Sequence, residues 1–304
     1  MKADYIWLNG EMVPFKQANV SFLSPTMHYG LGVFEGIRCY ETSSGAAVFR
    51  LSEHLQRLLD SALIFGLRDF PYTLQELREA TLETIRANGF NSCYIRPLIY
   101  LDGPLGLNLD VSEPRIGIAA WEWGAYLGEE ALEHGVDMMV SSFTRHHINV
   151  SMTKAKISGN YVNSVLAKTL ALRSGYDEAI LLDPQGYVSE CSGENLFIVS
   201  AAQISTPPQA TILGGITRDS VITIARDAGY TVTEELISRD LLYIADELFV
   251  CGTAAEVTPV RAVDHRTIGT GQRGPVTEAL QQAFFETVNG EGNRSVEWLE
   301  YVYE

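Results

Sequence analysis

The segment KAKISGNY, residues 154–161, carries the strongest chemical signal in the chain: two lysines stand just ahead of a predicted helix over 160–174. A lysine amine forms a Schiff base with a carbonyl compound only after it loses its proton, and an apolar environment favours that loss. Ile157 permits such an environment. In an extended segment Lys154 and Lys156 face the same side, so periodicity does not choose between them.

Strands and helices alternate on both sides of this segment. The predicted strands and hairpins lie at 6–13 with an Asn-Gly turn, 92–101, 116–121, 136–142, 179–188, 195–200 and 247–251. Further predicted helices begin with Ser52 as the cap, with the capping box Thr73-x-x-Glu76, at 217 and at 276, and end near Gly66, Gly89, 227 and 287. The alternation predicts an α/β or α+β protein.

One stretch without clear periodicity, beginning at Glu122, divides the chain. It contains Trp123, two glycines and several acidic residues. We therefore predict a small domain over 1–121, a linker over 122–134 and a larger domain over 135–304.

Composition excludes several classes of function. The 304 residues are 46% hydrophobic and 20% charged, which is typical of an ordered globular protein with a sizeable core. The formal net charge of -16 makes nucleic acids and anionic membranes poor partners, although a local basic site can still bind a small anion.

The cysteines and the apolar runs predict a cytoplasmic protein. The four cysteines are far apart in sequence and form no CxxC pair, which is typical of a reducing compartment. No signal peptide and no transmembrane helix are expected, because the N-terminal segment lacks a basic region followed by an apolar run, and no stretch of about eighteen apolar residues occurs.

Two glycine-rich turns are candidate anion sites. Gly214-Gly215-Ile216-Thr217 leads into a predicted helix, and we expect Gly252-Thr253-Ala254 to do the same. Helix N-termini present N–H groups and a positive dipole end to a phosphate or carboxylate. Each turn alone is an ordinary helix start; both become more informative beside a candidate lysine.

Two charged side chains complete the candidate site. Glu190 follows a predicted hairpin, and a carboxylate there could hold a protonated pyridine nitrogen. Arg57 lies beside the apolar face of the predicted Ser52 helix, where it could bind phosphate. The ordinary alternatives are a surface acid and an arginine whose stem covers apolar surface.

Other motifs do not support a rival chemistry. The run 269–274 matches a dinucleotide fingerprint by letter but lies too near the C-terminus for a nucleotide domain. His146 and His147 are adjacent and point apart on an extended strand, so no metal site is expected. Neither a GxSxG elbow nor a P-loop motif occurs.

Nine segments in order along the chain resemble those of fold-type-IV pyridoxal 5'-phosphate (PLP) enzymes, the class IV aminotransferases, and among them the branched-chain amino-acid aminotransferases. The segments are His28-Tyr29-Gly30, Phe34-Glu35-Gly36-Ile37-Arg38, His54-Leu-Gln-Arg57-Leu58, Tyr94-Ile-Arg96-Pro97, Gly124-Ala-Tyr126-Leu-Gly128, Lys156-x-x-Gly-Asn-Tyr161, Tyr187-x-Ser-Glu190, Gly215-Ile-Thr-Arg218 and Gly252-Thr-Ala-Ala-Glu-Val-Thr-Pro259. The resemblance implies a two-domain α/β (α+β) fold, with a small N-terminal domain and a larger PLP-binding domain built on a barrel-like mixed sheet.

The resemblance also implies a role for each matching residue in PLP binding. Lys156 corresponds to the lysine that carries the cofactor and moves the proton, Tyr161 to the partner of the cofactor's O3′, and Glu190 to the partner of the pyridine nitrogen. The phosphate-binding positions are Arg57, Ile216, Thr217 and Thr253.

The remaining matches imply a substrate site and an assembly. The substrate positions are Tyr29, Phe34, Gly36, Tyr94, Arg96, Tyr126, Thr253, Ala254, Leu105 and Leu107. Leu105 and Leu107 belong to a loop that in the family reaches the neighbouring subunit, which implies a homodimer or a larger assembly such as a hexamer. The implied reaction is transamination of L-leucine, L-isoleucine and L-valine with 2-oxoglutarate.

Four features depart from the family pattern: Gly214, the basic stretch Arg145-His146-His147, Ser158 and Cys251. We expect the basic stretch to affect substrate preference or contacts between subunits. Within the fold, D-amino-acid transaminase, (R)-amine transaminase and aminodeoxychorismate lyase are the alternatives. A non-catalytic binding protein is the alternative from another class, although the lysine, glutamate and arginine positions are all filled.

Overall fold

The computed structural model describes residues 3–124 and 126–303. Met1, Lys2, Ala125 and Glu304 lie outside the described residues, and with them the outer ends of the two predicted domains and the alanine of the predicted segment 124–128.

The strands are β1 (Tyr5–Leu8), β2 (Glu11–Pro14), β3 (Gly32–Phe34), β4 (Ile37–Thr42), β5 (Gly45–Phe49), β6 (Cys93–Asp102), β7 (Glu113–Trp121), β8 (Val136–Val140), β9 (Glu178–Leu182), β10 (Val188–Cys191), β11 (Asn195–Ser200), β12 (Gln203–Thr206), β13 (Val232–Glu234), β14 (Glu247–Gly252), β15 (Glu256–Val263), β16 (Arg266–Thr267) and β17 (Leu299–Tyr301). The α-helices are α1 (Pro25–Tyr29), α2 (Leu51–Phe65), α3 (Leu74–Asn88), α4 (Glu129–His134), α5 (Tyr161–Arg173), α6 (Ile216–Asp227), α7 (Arg239–Ile244), α8 (Pro275–Val288) and α9 (Ser295–Trp298). Apart from the helix expected after Gly252, the strands and helices predicted from the sequence are present. Strands β3–β5, β12, β13 and β15–β17 and helices α1, α4, α7 and α9 are additional.

The chain groups into two compact units. The first comprises Met1–Trp123, Lys154–Gly159 and Thr287–Glu304, and the second comprises Gly124–Thr153 and Asn160–Glu286. The first unit thus takes a six-residue segment from the middle of the chain. The division into 1–121, 122–134 and 135–304 stays a prediction, and α4 lies inside its linker.

An antiparallel sheet forms the first unit. Its strand order is β17-β5-β4-β6-β7-β1-β2, and β3 also pairs with β6. The longest ladder joins β6 to β7, from Tyr94 opposite Trp121 to Asp102 opposite Glu113. The apolar residues of β6 pack with those of α2 and α3 in one core that includes Ile95, Ile99 and Leu55.

The pairing along β6 is interrupted opposite Pro97. Phe34 of β3 pairs with Leu98, and Ile37 of β4 pairs with Ile95, so Glu35 and Gly36 fall between the two strands. Proline has no N–H to give to a ladder. Glu35 still donates its backbone N–H to the Pro97 carbonyl at 2.9 Å, and its side chain turns into the interior, where it is fully buried.

The helix ends of the first unit follow local signals in one case and not in the other. Thr73 and Glu76 form the predicted capping box of α3, and Gly89 ends that helix in the left-handed conformation. The prediction that Ser52 caps α2 is wrong: α2 begins at Leu51 after Arg50, which has φ of 49° and makes no side-chain cap. Arg50 is held there by its N–H bond to the Trp298 carbonyl at 2.7 Å.

A mixed sheet forms the second unit. Its order is β10-β9-β8-β15-β14-β11-β12-β13, with β16 paired to β15. β8 runs parallel to both β9 and β15, and β12 runs parallel to β13, while the other pairs are antiparallel. Fully buried strand residues such as Ile180, Leu196 and Val250 form its core. The mixed sheet implied by the resemblance is confirmed.

No helix in the described ranges is sufficiently long and apolar to span a membrane.

Candidate active site

Lys156 is fixed through its backbone in the first unit. Its N–H donates to the Ser61 hydroxyl on α2 at 3.0 Å, and its carbonyl accepts from the Phe34 N–H at 3.0 Å. The Nζ atom lies 5.1 Å from the centroid of the Phe34 ring. Lys156 is half-buried, whereas Lys154 is exposed. The structure thus separates the two lysines that periodicity could not distinguish.

Arg57 projects from α2 into a buried ion pair with Glu35. Its Nε atom donates to Glu35 Oε1 at 2.6 Å, and its Nη2 atom donates to Oε2 at 2.8 Å. His54, one turn earlier, places Nδ1 at 2.9 Å from Glu35 Oε2. The predicted phosphate arginine is therefore held on one edge by a carboxylate to which sequence reasoning gave no role.

Electrostatics fix the charge states of this group. Burial raises the pKa of Glu35, but the Arg57 charge and the hydrogen bonds from His54 and Arg57 outweigh burial and hold that pKa well below its usual range. Burial lowers the pKa of His54; the Glu35 hydrogen bond opposes this, and the charges of Arg57 and Lys156 add to it. Near neutral pH the group therefore contains an ionised Glu35, a cationic Arg57 and a neutral His54.

Phe34 joins the lysine to two predicted substrate residues of the first unit. The Arg96 guanidinium carbon lies 4.7 Å from the Phe34 ring centroid and 5.5 Å from the Tyr94 ring centroid. Tyr94 in turn packs edge-on against Trp123, with ring centroids 4.6 Å apart. Arg96 Nε is buried and has no hydrogen-bond partner among the described residues. A buried N–H of a guanidinium that has no partner in the protein is suited to bind an anion.

Gly36 leaves the space that the Tyr94 hydroxyl occupies. A Cβ atom at Gly36 would lie 1.9 Å from Tyr94 Oη and 2.8 Å from its Cζ. This contact gives Gly36, which sequence reasoning placed with the substrate residues, a physical reason to be glycine.

We expect Gly36→Ala to raise KM for the amino-acid substrate by about tenfold, because an overpacked side chain costs about 1–3 kcal/mol and here displaces Tyr94. Steady-state kinetics would measure the change. Gly117→Ala on β7 is the matched control, since a Cβ there makes only an ordinary contact of 3.4 Å with Leu8. An unchanged KM in Gly36→Ala would contradict the prediction that the placement of Tyr94 matters for substrate binding.

The other predicted substrate residues of the first unit lie on its surface. Tyr29 ends α1 and is 43% exposed, and Leu105 and Leu107 are 43% and 90% exposed. Their assignments stay predictions.

Glu190 is buried in the second unit and lies within β10. It therefore belongs to the hairpin that it was expected to follow. Its Oε1 atom lies 2.7 Å from Arg145 Nε, and its Oε2 atom accepts from the Leu213 N–H at 3.0 Å. Both members of the ion pair are buried. A cation at this distance favours the charged form of a carboxyl group.

Arg145 is a residue of the candidate site that sequence reasoning did not place there. The basic stretch containing it was expected to affect substrate preference or subunit contacts, yet Arg145 also donates its N–H to the Leu182 carbonyl at 2.8 Å and lies in the interior. No local signal reveals a partner 45 positions away.

The first glycine turn of the second unit begins a helix, as predicted. Gly215 is the N-cap of α6, and the helix starts at Ile216. A Cβ at Gly215 would lie 2.0 Å from Asn195 Oδ1, so only glycine fits. The N–H groups of a first turn have no partner within their own helix and can bind an anion. Ile216 and Thr217, both buried, are the first two residues of this helix.

The second glycine turn does not begin a helix, so that prediction is wrong. Residues 253–255 form a tight turn between β14 and β15, and Gly252 pairs with Glu256 across it. The run after the turn contains the β-branched residues Val257, Thr258 and Val260, which pair with β14. This pairing overrides the resemblance to a helix start. Thr253 and Ala254 therefore present the N–H groups of a hairpin turn.

Tyr126 and Tyr161 belong to the same unit. Tyr161 is the first residue of α5 and is half-buried. Burial, together with the charges of Glu194 and Glu178, raises the pKa of the Tyr126 hydroxyl, which hydrogen-bonds Ser192. Lys168 Nζ lies 5.1 Å from the Tyr126 ring centroid and 2.6 Å from Glu178 Oε2.

Glu194 is buried beside this group. Burial raises the pKa of Glu194 to about 8, the charge of Glu178 adds to the rise, and the charge of Lys168 and the Gly193 N–H oppose it. The folded protein therefore keeps a proton on Glu194 that an unfolded chain releases above about pH 4.5.

A carboxyl group with a raised pKa makes the folded state less stable as pH rises. We expect the free energy of unfolding to fall between pH 4.5 and about 8, by at most about 1.4 kcal/mol per pH unit for this group. Glu194→Gln should make that fall shallower, because the amide does not titrate. Urea titrations across this range would test it, with exposed Glu235→Gln as the control; identical slopes in all three proteins would contradict the assignment.

Comparison with known proteins assigns the chain to a family. The chain matches the family model of amino-transferase class IV over residues 32–263. It is 50% identical to the branched-chain-amino-acid aminotransferase of Pseudomonas aeruginosa, over 96% of this chain and 95% of that protein.

Solved structures give the same result. The crystal structure of Escherichia coli branched-chain amino acid aminotransferase has a TM-score of 0.96 and 50% identity, covering 99% of this chain and 100% of that chain. The T.th. branched-chain amino acid aminotransferase with pyridoxamine 5'-phosphate has a TM-score of 0.96 and 51% identity, covering 99% of both chains. The fold-type-IV fold implied by the resemblance is thus confirmed, and the chain belongs to the class IV aminotransferase family, in the group of the branched-chain-amino-acid aminotransferases.

Proposed function

We propose that the chain catalyses PLP-dependent transfer of the amino group of L-leucine, L-isoleucine and L-valine to 2-oxoglutarate, giving branched-chain 2-oxo acids and L-glutamate. The observation that carries this proposal is 50% identity, over nearly the whole of both chains, to a protein named as a branched-chain-amino-acid aminotransferase. A related structure contains pyridoxamine 5'-phosphate, which supports the cofactor.

The residues of each unit fit the chemistry of PLP. The first unit supplies a lysine for the aldehyde and a guanidinium for the phosphate, in Lys156 and Arg57. The second supplies an ionised carboxylate for the pyridine nitrogen, in Glu190, and the helix start at Ile216. When bound, PLP supplies an electron sink that stabilises negative charge on the substrate's α-carbon.

We propose that Lys156 Nζ takes the proton from the substrate's α-carbon and returns it at the cofactor's C4′, acting as general base and then as general acid. Glu190 keeps a proton on the pyridine nitrogen. Tyr161 binds O3′, and Arg57 with the backbone of Ile216, Thr217 and Thr253 binds the phosphate. The side chains of Arg57 and Glu190 are held by the contacts described above, which limits the reorganisation that each step requires.

The substrate residues divide by chemistry. Phe34 and Tyr126 offer apolar surface suited to branched aliphatic side chains. Tyr94 and the turn N–H groups of Thr253 and Ala254 suit an α-carboxylate. Arg96, with its buried Nε, is suited to the γ-carboxylate of glutamate, so one site accepts both apolar and acidic substrates.

Assembly and location are also proposals. We propose a homodimer or a larger homo-oligomer, in which the exposed loop with Leu105 and Leu107 contacts the neighbouring subunit. We propose the cytoplasm as its location, because all four cysteines are free thiols in the interior.

A visible absorption spectrum of the PLP-loaded protein, recorded before and after addition of L-leucine, tests the function. We expect the band of the lysine-bound cofactor to fall as the pyridoxamine form accumulates, and 2-oxoglutarate to restore it. D-leucine is the matched control. A bound cofactor that responds to D-alanine or an (R)-amine but not to L-leucine would overturn the substrate assignment.

A further inference from the structure

Glu35 is a buried acid to which the proposed reaction gives no role, yet it contacts the guanidinium proposed to bind the PLP phosphate. Its carboxylate is fully buried and accepts two parallel bonds from Arg57, at 2.6 and 2.8 Å. A forked pair of this kind fixes the plane of a guanidinium as well as its position.

The carboxylate itself is anchored at several points. The Glu35 backbone N–H is bonded to Pro97 at the interruption between β3 and β4. Its Oε2 atom also accepts from the Gly36 N–H at 3.2 Å and faces His54 Nδ1 at 2.9 Å. Glu35 therefore connects a fixed point of the sheet to the side chain that projects from α2.

The charge of Glu35 argues against a direct role in attracting phosphate. An ionised carboxylate beside Arg57 reduces the positive potential available to a dianion. Its contribution must then come from orientation: the fork holds Nε and Nη2, so the direction of the rest of the guanidinium is set. Without this fork, the long Arg57 side chain would lose conformational entropy when it binds the anion.

We propose that Glu35 is a positioning residue for Arg57, orienting its guanidinium toward the phosphate of PLP. The inference rests on the proposed function, because it requires Arg57 to bind that phosphate.

The test compares PLP with pyridoxal, which lacks the phosphate, by measuring the dissociation constant of each from the cofactor-free protein. Glu35→Gln should weaken PLP binding by roughly tenfold to a hundredfold and leave pyridoxal binding unchanged. A purely structural role would weaken both ligands equally and would overturn the proposal.

A double-variant cycle shows whether the effect passes through Arg57. In an Arg57→Gln background, Glu35→Gln should weaken PLP no further, whereas independent effects would add. Glu297→Gln is the matched control, since Glu297 pairs with Arg294 at 2.8 Å on the surface of the same unit. Its PLP affinity should equal that of the wild type.

Glu35→Asp covers the case in which the amide variant does not fold. It keeps the charge but withdraws the carboxylate by one methylene, so it should also weaken PLP selectively. If the wild type binds PLP and both Glu35 variants bind it equally tightly, only the positioning role fails. If the wild type binds no PLP, the proposed function fails with it.

Discussion

Lys156→Ala should lower turnover by at least about 10⁴-fold, since one amine serves as covalent attachment point, general base and general acid. The structure predicts that the protein still folds, because the contacts of this residue with Ser61 and Phe34 use its backbone N–H and carbonyl. Steady-state kinetics with L-leucine would measure the loss. The absorption band of the lysine-bound cofactor should disappear as well.

Lys154→Ala is the matched control for this substitution. Lys154 lies two positions earlier on the same segment and is exposed, so its removal should leave turnover near the wild-type value. The opposite pattern, with Lys154→Ala inactive and Lys156→Ala active, would show that the wrong lysine has been chosen.

Glu190→Gln should lower turnover by about 10²-fold or more, because an amide cannot keep the pyridine nitrogen protonated as a carboxylate does. The substitution also leaves Arg145 buried without its counter-charge, and breaking a buried pair in this way costs about 3–5 kcal/mol of stability. Kinetics and urea titrations would measure the two effects separately.

A second substitution separates catalysis from stability at Glu190. In the double variant Glu190→Gln, Arg145→Gln, no buried charge is left unpaired, so stability should partly return while turnover stays low. Exposed Glu235→Gln in the same unit should change neither quantity. Recovery of turnover together with stability would mean that Glu190 serves the fold alone.

Local sequence signals predicted the parts of the fold that local chemistry decides. The capping box at Thr73 and the glycine end at Gly89 depend on residues within one turn, and both were confirmed. The turn at Gly252 was misread because glycine opens hairpins as readily as helices, and only pairing of Gly252 with Glu256 distinguishes them. Ser52 failed as a cap for a similar reason: a bond to Trp298, far along the chain, sets the start of α2.

In the candidate site, too, contacts between residues far apart in the sequence could not be predicted. The types of its residues could be recognised in sequence, since a lysine, an arginine and a glutamate stand in segments that resemble the family. Their partners could not, because Arg145 with Glu190 and Glu35 with Arg57 are pairs that only the folded chain brings together. The choice between Lys154 and Lys156 also depends on the Ser61 hydroxyl, 95 positions away.

The position of residues 154–159 has a consequence for protein engineering. These residues belong to the first unit, although the sequence on either side of them belongs to the second. A chimera of two related enzymes joined at a single crossover near residue 124 would give Lys156 a Phe34 and a Ser61 from the other parent. Exchanging the units cleanly requires three further crossovers, after 153, 159 and 286. The lysine is then inherited together with the strand and helix that hold its backbone.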